Sequence, residues 1–175
     1  MKPRILGLIA ALLAAGSANA LVIHDDHDLG YIEYGIPSGD AERAAYVNYL
    51  IDMSLNSTAT ALGQNFTRSG NDFGPYADAV WALNGSSTSI SLGTTNYLYL
   101  MAKYDGPNYG SIVWYVGDLD GTITIPDTAS KYGLSGWTLF TGTGNPPTKV
   151  PEPGTLGLLG LGLLGLALIR RRKKA

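Results

Sequence analysis

Tyr97-Leu98-Tyr99-Leu100-Met101-Ala102-Lys103-Tyr104 reads as one long β-strand, and the fold turns on it. Successive side chains of a strand alternate between faces, so Leu98, Leu100 and Ala102 share one side while Tyr97, Tyr99, Met101 and Lys103 share the other. Asp105-Gly106-Pro107-Asn108 is turn chemistry. A second strand follows over Ser111–Val116, and Gly117-Asp118-Leu119-Asp120-Gly121 turns the chain into a third, Thr122–Ile125, which Pro126 closes. Leu134–Thr141 is the last strand of the series. Upstream, Ile90 and Leu92 already alternate with serines from Ser89 onward. Short strands at regular spacing, separated by Gly/Asp turns, predict a mainly β domain, an antiparallel β-sandwich or jelly roll.

Further toward the N-terminus the period changes. Ser38-Gly39-Asp40 supplies a helix start, and Ala44, Val47, Leu50 and Ile51 recur at helical spacing, which predicts one amphipathic helix ending near Ser54. Asn56–Gly74 is polar and reads as loop with one short strand around Phe66. Thr143–Lys149 is a Gly/Pro linker. No internal repeat of the domain is present.

Charge separates the 175-residue chain into unlike parts. The whole carries a formal charge of −2, but residues 21–149 hold five Lys and Arg against thirteen Asp and Glu, a net −8. All seventeen aromatic residues fall in the same 129-residue stretch, which is long enough for one compact core. The negative balance argues against nucleic acid and anionic membrane surfaces as partners of this domain. The sequence contains no Cys, so disulfides do not hold it together.

Both ends carry targeting patterns. Lys2 and Arg4 form a positive n-region, Ile5–Ala15 an apolar h-region, and Ala18-Asn19-Ala20 a small-residue cleavage site, the parts of a secretory signal peptide over residues 1–20. Cleavage after Ala20 leaves Leu21 as the mature N-terminus and residues 21–142 as the β-rich exported domain. No Cys follows the site, which rules out lipoprotein attachment.

The C-terminal segment, residues 150–175, is ordered in three parts. Val150-Pro151-Glu152-Pro153 is held extended, because each proline fixes its own φ and pushes the residue before it out of the helical region. The sixteen uncharged residues from Gly154 to Ile169 follow. As a helix they would span roughly 24 Å at about 1.5 Å per residue, against a hydrocarbon core of roughly 30 Å. Arg170, Arg171, Arg172, Lys173 and Lys174 snorkel to the interface and orient the span with its C-terminus in the cytoplasm. Gly154, Gly157 and Gly160 recur every third residue, and Gly162 to Gly165 is again three; no pair is four apart, so the small-xxx-small dimer face is absent. A plain membrane anchor would share the span and the basic cluster. Only Pro-Glu-Pro separates the two readings.

The contiguous order of motif, apolar span and basic cluster resembles the PEP-CTERM sorting signal of bacterial exported proteins, which the membrane enzyme exosortase reads. The resemblance implies an inner-membrane-anchored precursor that is processed by exosortase and delivered to the cell surface or extracellular matrix of a Gram-negative bacterium, where it would belong to a biofilm. Tyr97–Gly106, Val113-Trp114-Tyr115-Val116 and Gly133-Leu134-Ser135-Gly136-Trp137-Thr138-Leu139-Phe140 are similar to ectodomains carried on such tails, a likeness that implies a fold type and no reaction.

Candidates for chemistry are few. His24-Asp25-Asp26-His27-Asp28 crowds both histidines with three carboxylates, a ligand set a transition metal could accept. A solvated segment behind a signal peptide explains it more simply, so no metal or cofactor is predicted. Asp118-Leu119-Asp120-Gly121 begins like a calcium loop, but Thr122 and Ile123 stand where an EF-hand needs its next ligand and glycine. No Gly-x-Ser-x-Gly elbow and no Cys nucleophile are present, and no His follows residue 27 to act as a base for the body of the domain. Catalytic residues are therefore not predicted, and a secreted glycan hydrolase is the most distant alternative. The nearer alternative is a carbohydrate-binding module of an exopolysaccharide matrix. Trp114 and Trp137 are expected in the core, whereas Tyr97 and Tyr99 are the candidate sugar platform. Asn56-Ser57-Thr58, Asn65-Phe66-Thr67 and Asn84-Gly85-Ser86 fit the N-glycosylation pattern and are expected to be chance matches in a Ser/Thr/Asn-rich chain.

Overall fold

The computed structural model describes residues 18–34, 38–107 and 109–143. The chain divides into two units, residues 1–144 and 145–175, and every described residue belongs to the first. The n- and h-regions of the predicted signal peptide, the greater part of the linker, the sorting motif, the apolar span and the basic cluster lie outside the described residues. Among the described residues no helix is long and apolar enough to cross a membrane.

The described domain is mainly β with one helix. Its elements in chain order are β1 (Ala18–Ala20), β2 (Asp28–Ile32), α1 (Asp40–Asp52), β3 (Thr58–Ala61), β4 (Gln64–Arg68), β5 (Ala79–Gly85), β6 (Ser89–Gly93), β7 (Tyr99–Lys103), β8 (Ser111–Tyr115), β9 (Gly121–Thr124), β10 (Thr128–Ala129), β11 (Tyr132–Gly133) and β12 (Gly136–Gly142). Seven strands form one antiparallel sheet in the order β3-β4-β2-β8-β7-β12-β5. A three-stranded sheet, β1-β9-β6, has one antiparallel pair and one parallel pair, β1 with β9. β10 and β11 make a separate two-stranded ribbon.

Both faces of the central strands of the large sheet are covered. On one side Tyr46, Val47 and Leu50 of α1 pack with Leu29, Ile32, Phe66, Tyr99, Met101, Val113 and Phe140. On the other, Ile90, Leu92 and Ile123 of the small sheet join Leu100, Ala102, Ile112, Trp114 and Leu139. The result is a helix, a wide sheet and a narrow sheet in layers. A jelly roll would need two four-stranded sheets, and the seven-to-three division departs from that expectation.

The helix runs where its sequence permits. Asp40 and Glu42 lie in the first turn, where carboxylates favour the positive end of the macrodipole, and Gly39 at the N-cap gives no side-chain cap. The chain turns extended at Met53, so the helix ends at Asp52, two residues before the predicted end. Val47 and Leu50 are buried as expected, and Tyr46 joins them with its hydroxyl donating to the Leu62 carbonyl at 3.1 Å. The predicted loop over Asn56–Gly74 contains the β3–β4 hairpin instead of a lone strand. β2 and β5 were not foreseen.

The central strands correct the reading of Tyr97 and Tyr99. Because helix and second sheet cover β7 and β8 on opposite faces, four of the five residues in each strand are buried. Tyr99 is wholly buried against the helix side and donates its hydroxyl to the Ala77 carbonyl at 2.8 Å. Burial also pushes that hydroxyl's pKa upward. Tyr97 precedes the regular strand, and its half-buried ring packs toward the opposite cluster. The two rings therefore share no open face and make no sugar platform. Trp114 and Trp137 are buried. Tyr99→Ala should lower unfolding free energy by about 3–5 kcal/mol, and Tyr99→Phe by about 1 kcal/mol through the lost hydrogen bond, as read by denaturant titration. A Tyr99→Ala variant as stable as wild type would place the ring outside the core.

Candidate functional site

The small and large sheets overlap at the β7–β8–β12 end, and the β2–β4–β3 end of the same face carries an open cleft of about 500 Å3. Its floor follows from strand register. Tyr31 of β2 stands opposite Thr67 of β4, and Thr67 stands opposite Thr58 of β3, so the three residues form a row across the sheet. Gly30 lets β2 and β4 approach at this point. It has a φ of +155°, and a Cβ there would run into the Thr67 carbonyl oxygen.

The segment expected to be solvated builds one wall. Asp25 organises it as a tight turn, accepting from the Val22 N–H at 2.7 Å and the His27 N–H at 2.9 Å. The Trp114 indole donates to the Val22 carbonyl at 3.0 Å, and the Asn71 amide donates to the Asp25 and Asp28 carbonyls at 2.8 and 3.0 Å. These bonds bring His24 into the body of the domain, in a left-handed conformation at φ 65°. Its Nδ1 lies 3.2 Å from Asp28 Oδ2 and its Nε2 lies 3.1 Å from the Tyr109 hydroxyl. In the neutral ring, Nδ1–H donates to the carboxylate and Nε2 accepts from the phenol. His24, Tyr31 and Tyr109 also meet edge to face, with centroids 5.1–6.0 Å apart. His27 goes elsewhere, toward Asp118 at 3.7 Å. Among the described residues no three of His, Asp and Glu converge as metal ligands.

Two buried charges flank the cleft. Arg68 is 1% exposed, and its guanidinium is solvated by oxygen atoms of Leu29, Ser69, Asn71 and Tyr76 at 2.7–3.4 Å. Asp28 is 2% exposed, and its Oδ1 has no hydrogen-bond partner. Burial raises the Asp28 pKa above the ordinary carboxylate range, against the pull of His24 and of backbone N–H donors.

A smaller depression of about 290 Å3 lies on β5, β7 and β12, with Arg43 and Lys103 beside Trp137. Each cation there is paired with a carboxylate, Arg43 with Asp40 at 3.5 Å and Lys103 with Asp105 at 3.2 Å.

The sequence alone did not single out Tyr31 or Arg68, and it marked Thr67 only within the tripeptide Asn65-Phe66-Thr67. A usable signal existed in Arg68, a lone cation in a long Ser/Thr/Asn stretch. Asn56-Ser57-Thr58, read there as a chance glycosylation pattern, lines the cleft. The asparagines of the other two tripeptides lie in strands, where the Asn65 amide donates to Glu33 at 3.0 Å and the Asn84 amide to Asp40 at 2.9 Å.

Residues 149–173 match the PEP-CTERM protein-sorting motif. No curated protein and no solved structure matches the chain. The class is thus an exported mainly β domain carried on a sorting tail. The motif indicates an exported protein targeted to exosortase, and it implies a membrane-anchored precursor of the kind found in Gram-negative bacteria.

Because folding holds the Asp28 proton more tightly than the unfolded chain does, stability from this group is lost as pH rises from 3.8 through the raised value. Asn has no such equilibrium. The Tm of Asp28→Asn should therefore gain on wild type as pH is raised from about 4 to about 7, followed by thermal melts in parallel buffers. A Tm difference that stays constant would contradict the raised pKa.

Proposed function

We propose that the exported domain serves at the cell surface or in the extracellular matrix as a non-catalytic component, delivered there when exosortase acts on the tail. The sorting motif at residues 149–173 carries this reading. In the proposal Val150–Pro153 present an extended strip to the enzyme, residues 154–169 hold the precursor in the inner membrane, and Arg170–Lys174 fix its orientation. Extended, proline-stiffened chain suits a processing cleft because little entropy is lost on binding. The non-catalytic part of the reading rests on the sequence, which has no Gly-x-Ser-x-Gly elbow, no Cys and no His after residue 27.

A second reading, a carbohydrate-binding module of an exopolysaccharide matrix, is favoured by the cleft on the open end of the sheet. The site it requires is that cleft and not Tyr97 and Tyr99.

Intact mass of the protein recovered from cells tests the delivery. Wild type should begin at Leu21 and lack the tail. The variant Pro151→Ala/Glu152→Gln/Pro153→Ala should keep its tail and stay in the inner membrane, since a plain anchor would need only the span and the basic cluster. Equal processing of both proteins would make the Pro-Glu-Pro motif incidental.

A further inference from the structure

We propose that the cleft across β2, β4 and β3 binds an uncharged glycan chain. The inference rests on the reading of the domain as a sugar-binding module, and it adds the site and the ligand class.

The floor of the cleft sets the chemistry. The register row gives a phenol ring at Tyr31 followed by hydroxyls at Thr67 and Thr58, on one face and at strand spacing. Strands lie about 4.8 Å apart, so the row presents a ring and two hydroxyls over roughly 10 Å, the scale of two linked sugars. A pyranose offers an apolar C–H face to an aromatic ring and hydroxyls that both donate and accept. Thr and Asn side chains answer both roles, and Asn56 stands beside the row.

The ring at the end of the row is held in place. Tyr31 makes edge-to-face contacts with Tyr109 at 5.1 Å and His24 at 6.0 Å, and His24 is itself fixed by Asp28. An aromatic surface already immobilised loses little entropy when a ligand stacks on it. The volume of about 500 Å3 falls within the range of small-ligand sites.

Charge selects among glycans. Asp25, Asp26 and Asp28 line the cleft, and both terminal nitrogens of its one guanidinium, Arg68, are turned to protein oxygens of Leu29, Ser69, Asn71 and Tyr76. An anionic sugar would meet three carboxyl groups and a guanidinium that is 1% exposed, in a domain already carrying −8. A neutral chain meets no such penalty.

Affinity electrophoresis of the full chain, purified in detergent, tests the proposal. Native gels would contain hydroxyethylcellulose or galactomannan as neutral glycans and polygalacturonate as the anionic one. At least one neutral polymer should retard wild type and Tyr31→Phe, with binding about tenfold weaker for Tyr31→Ala through the lost ring contact. Tyr31 also touches the core, so Thr58→Glu provides a second variant at an exposed edge position. It should abolish retardation while leaving Tm unchanged. Retardation by polygalacturonate alone would overturn the uncharged-glycan assignment and leave the sugar-binding reading standing. Retardation by none of the three polymers would overturn both. Retardation by a neutral polymer that survives both Tyr31→Ala and Thr58→Glu would show that the site lies elsewhere.

Discussion

Strand β2 is hydrogen-bonded on both sides, to β4 through Gly30, Tyr31 and Ile32 and to β8 through the same residues and Asp28. It joins the β3–β4 hairpin to the other four strands of the large sheet, so without it the sheet would fall into two pieces. Leu29 and Ile32 are wholly buried and form part of the surface on which α1 packs. Backbone bonds beyond the strand extend the seam, with the Glu33 N–H donating to Asn65 at 3.0 Å and the Ser69 N–H to Leu29 at 3.0 Å. The helix layer, the cleft floor and the wide sheet all depend on this one pairing.

The same pairing links export to the site. Leu21 is 3% exposed in the cluster between the two sheets, and its N–H donates to the Thr124 carbonyl at 2.8 Å. Cleavage after Ala20, as the sequence predicts, would remove β1 and leave that nitrogen as the terminal amine, with the first mature side chain already in the core. From Leu21 the chain makes the Asp25 turn, sets His24 against Tyr109 and enters β2 within seven residues. A processed N-terminus that packs in this way carries the cleft wall with it.

Much of this was visible in the sequence, for identifiable reasons. β8, β9 and β12 are rich in β-branched and aromatic residues, β7 lies in a run of alternating Tyr and Leu, Gly/Asp turns punctuate the series, and α1 carries apolar residues at helical spacing. β2 was hidden because Asp28-Leu29-Gly30-Tyr31-Ile32 contains a charge and a glycine and follows four polar residues. Asp28 sits there because its carboxyl group accepts from the His24 N–H and meets the His24 ring, and Gly30 because β4 approaches closely, and both are tertiary facts. β3, Thr-Ala-Thr-Ala, has no large apolar side chain to betray it. Tyr99 was misplaced because alternation assigns faces correctly but says nothing of a sheet covered on both. The cleft escaped for a related reason, since its row of residues comes from three strands and only register brings them together. The tail was legible because its three parts are contiguous.

Hydrogen exchange of the exported protein addresses the central pairing most directly. If β2 joins the two parts of the sheet, the amides of Gly30, Tyr31 and Ile32 should exchange as slowly as those of Leu100, Met101 and Val113, through global unfolding. Exchange of the β2 amides on the timescale of exposed loops, with β7 and β8 still protected, would contradict the account.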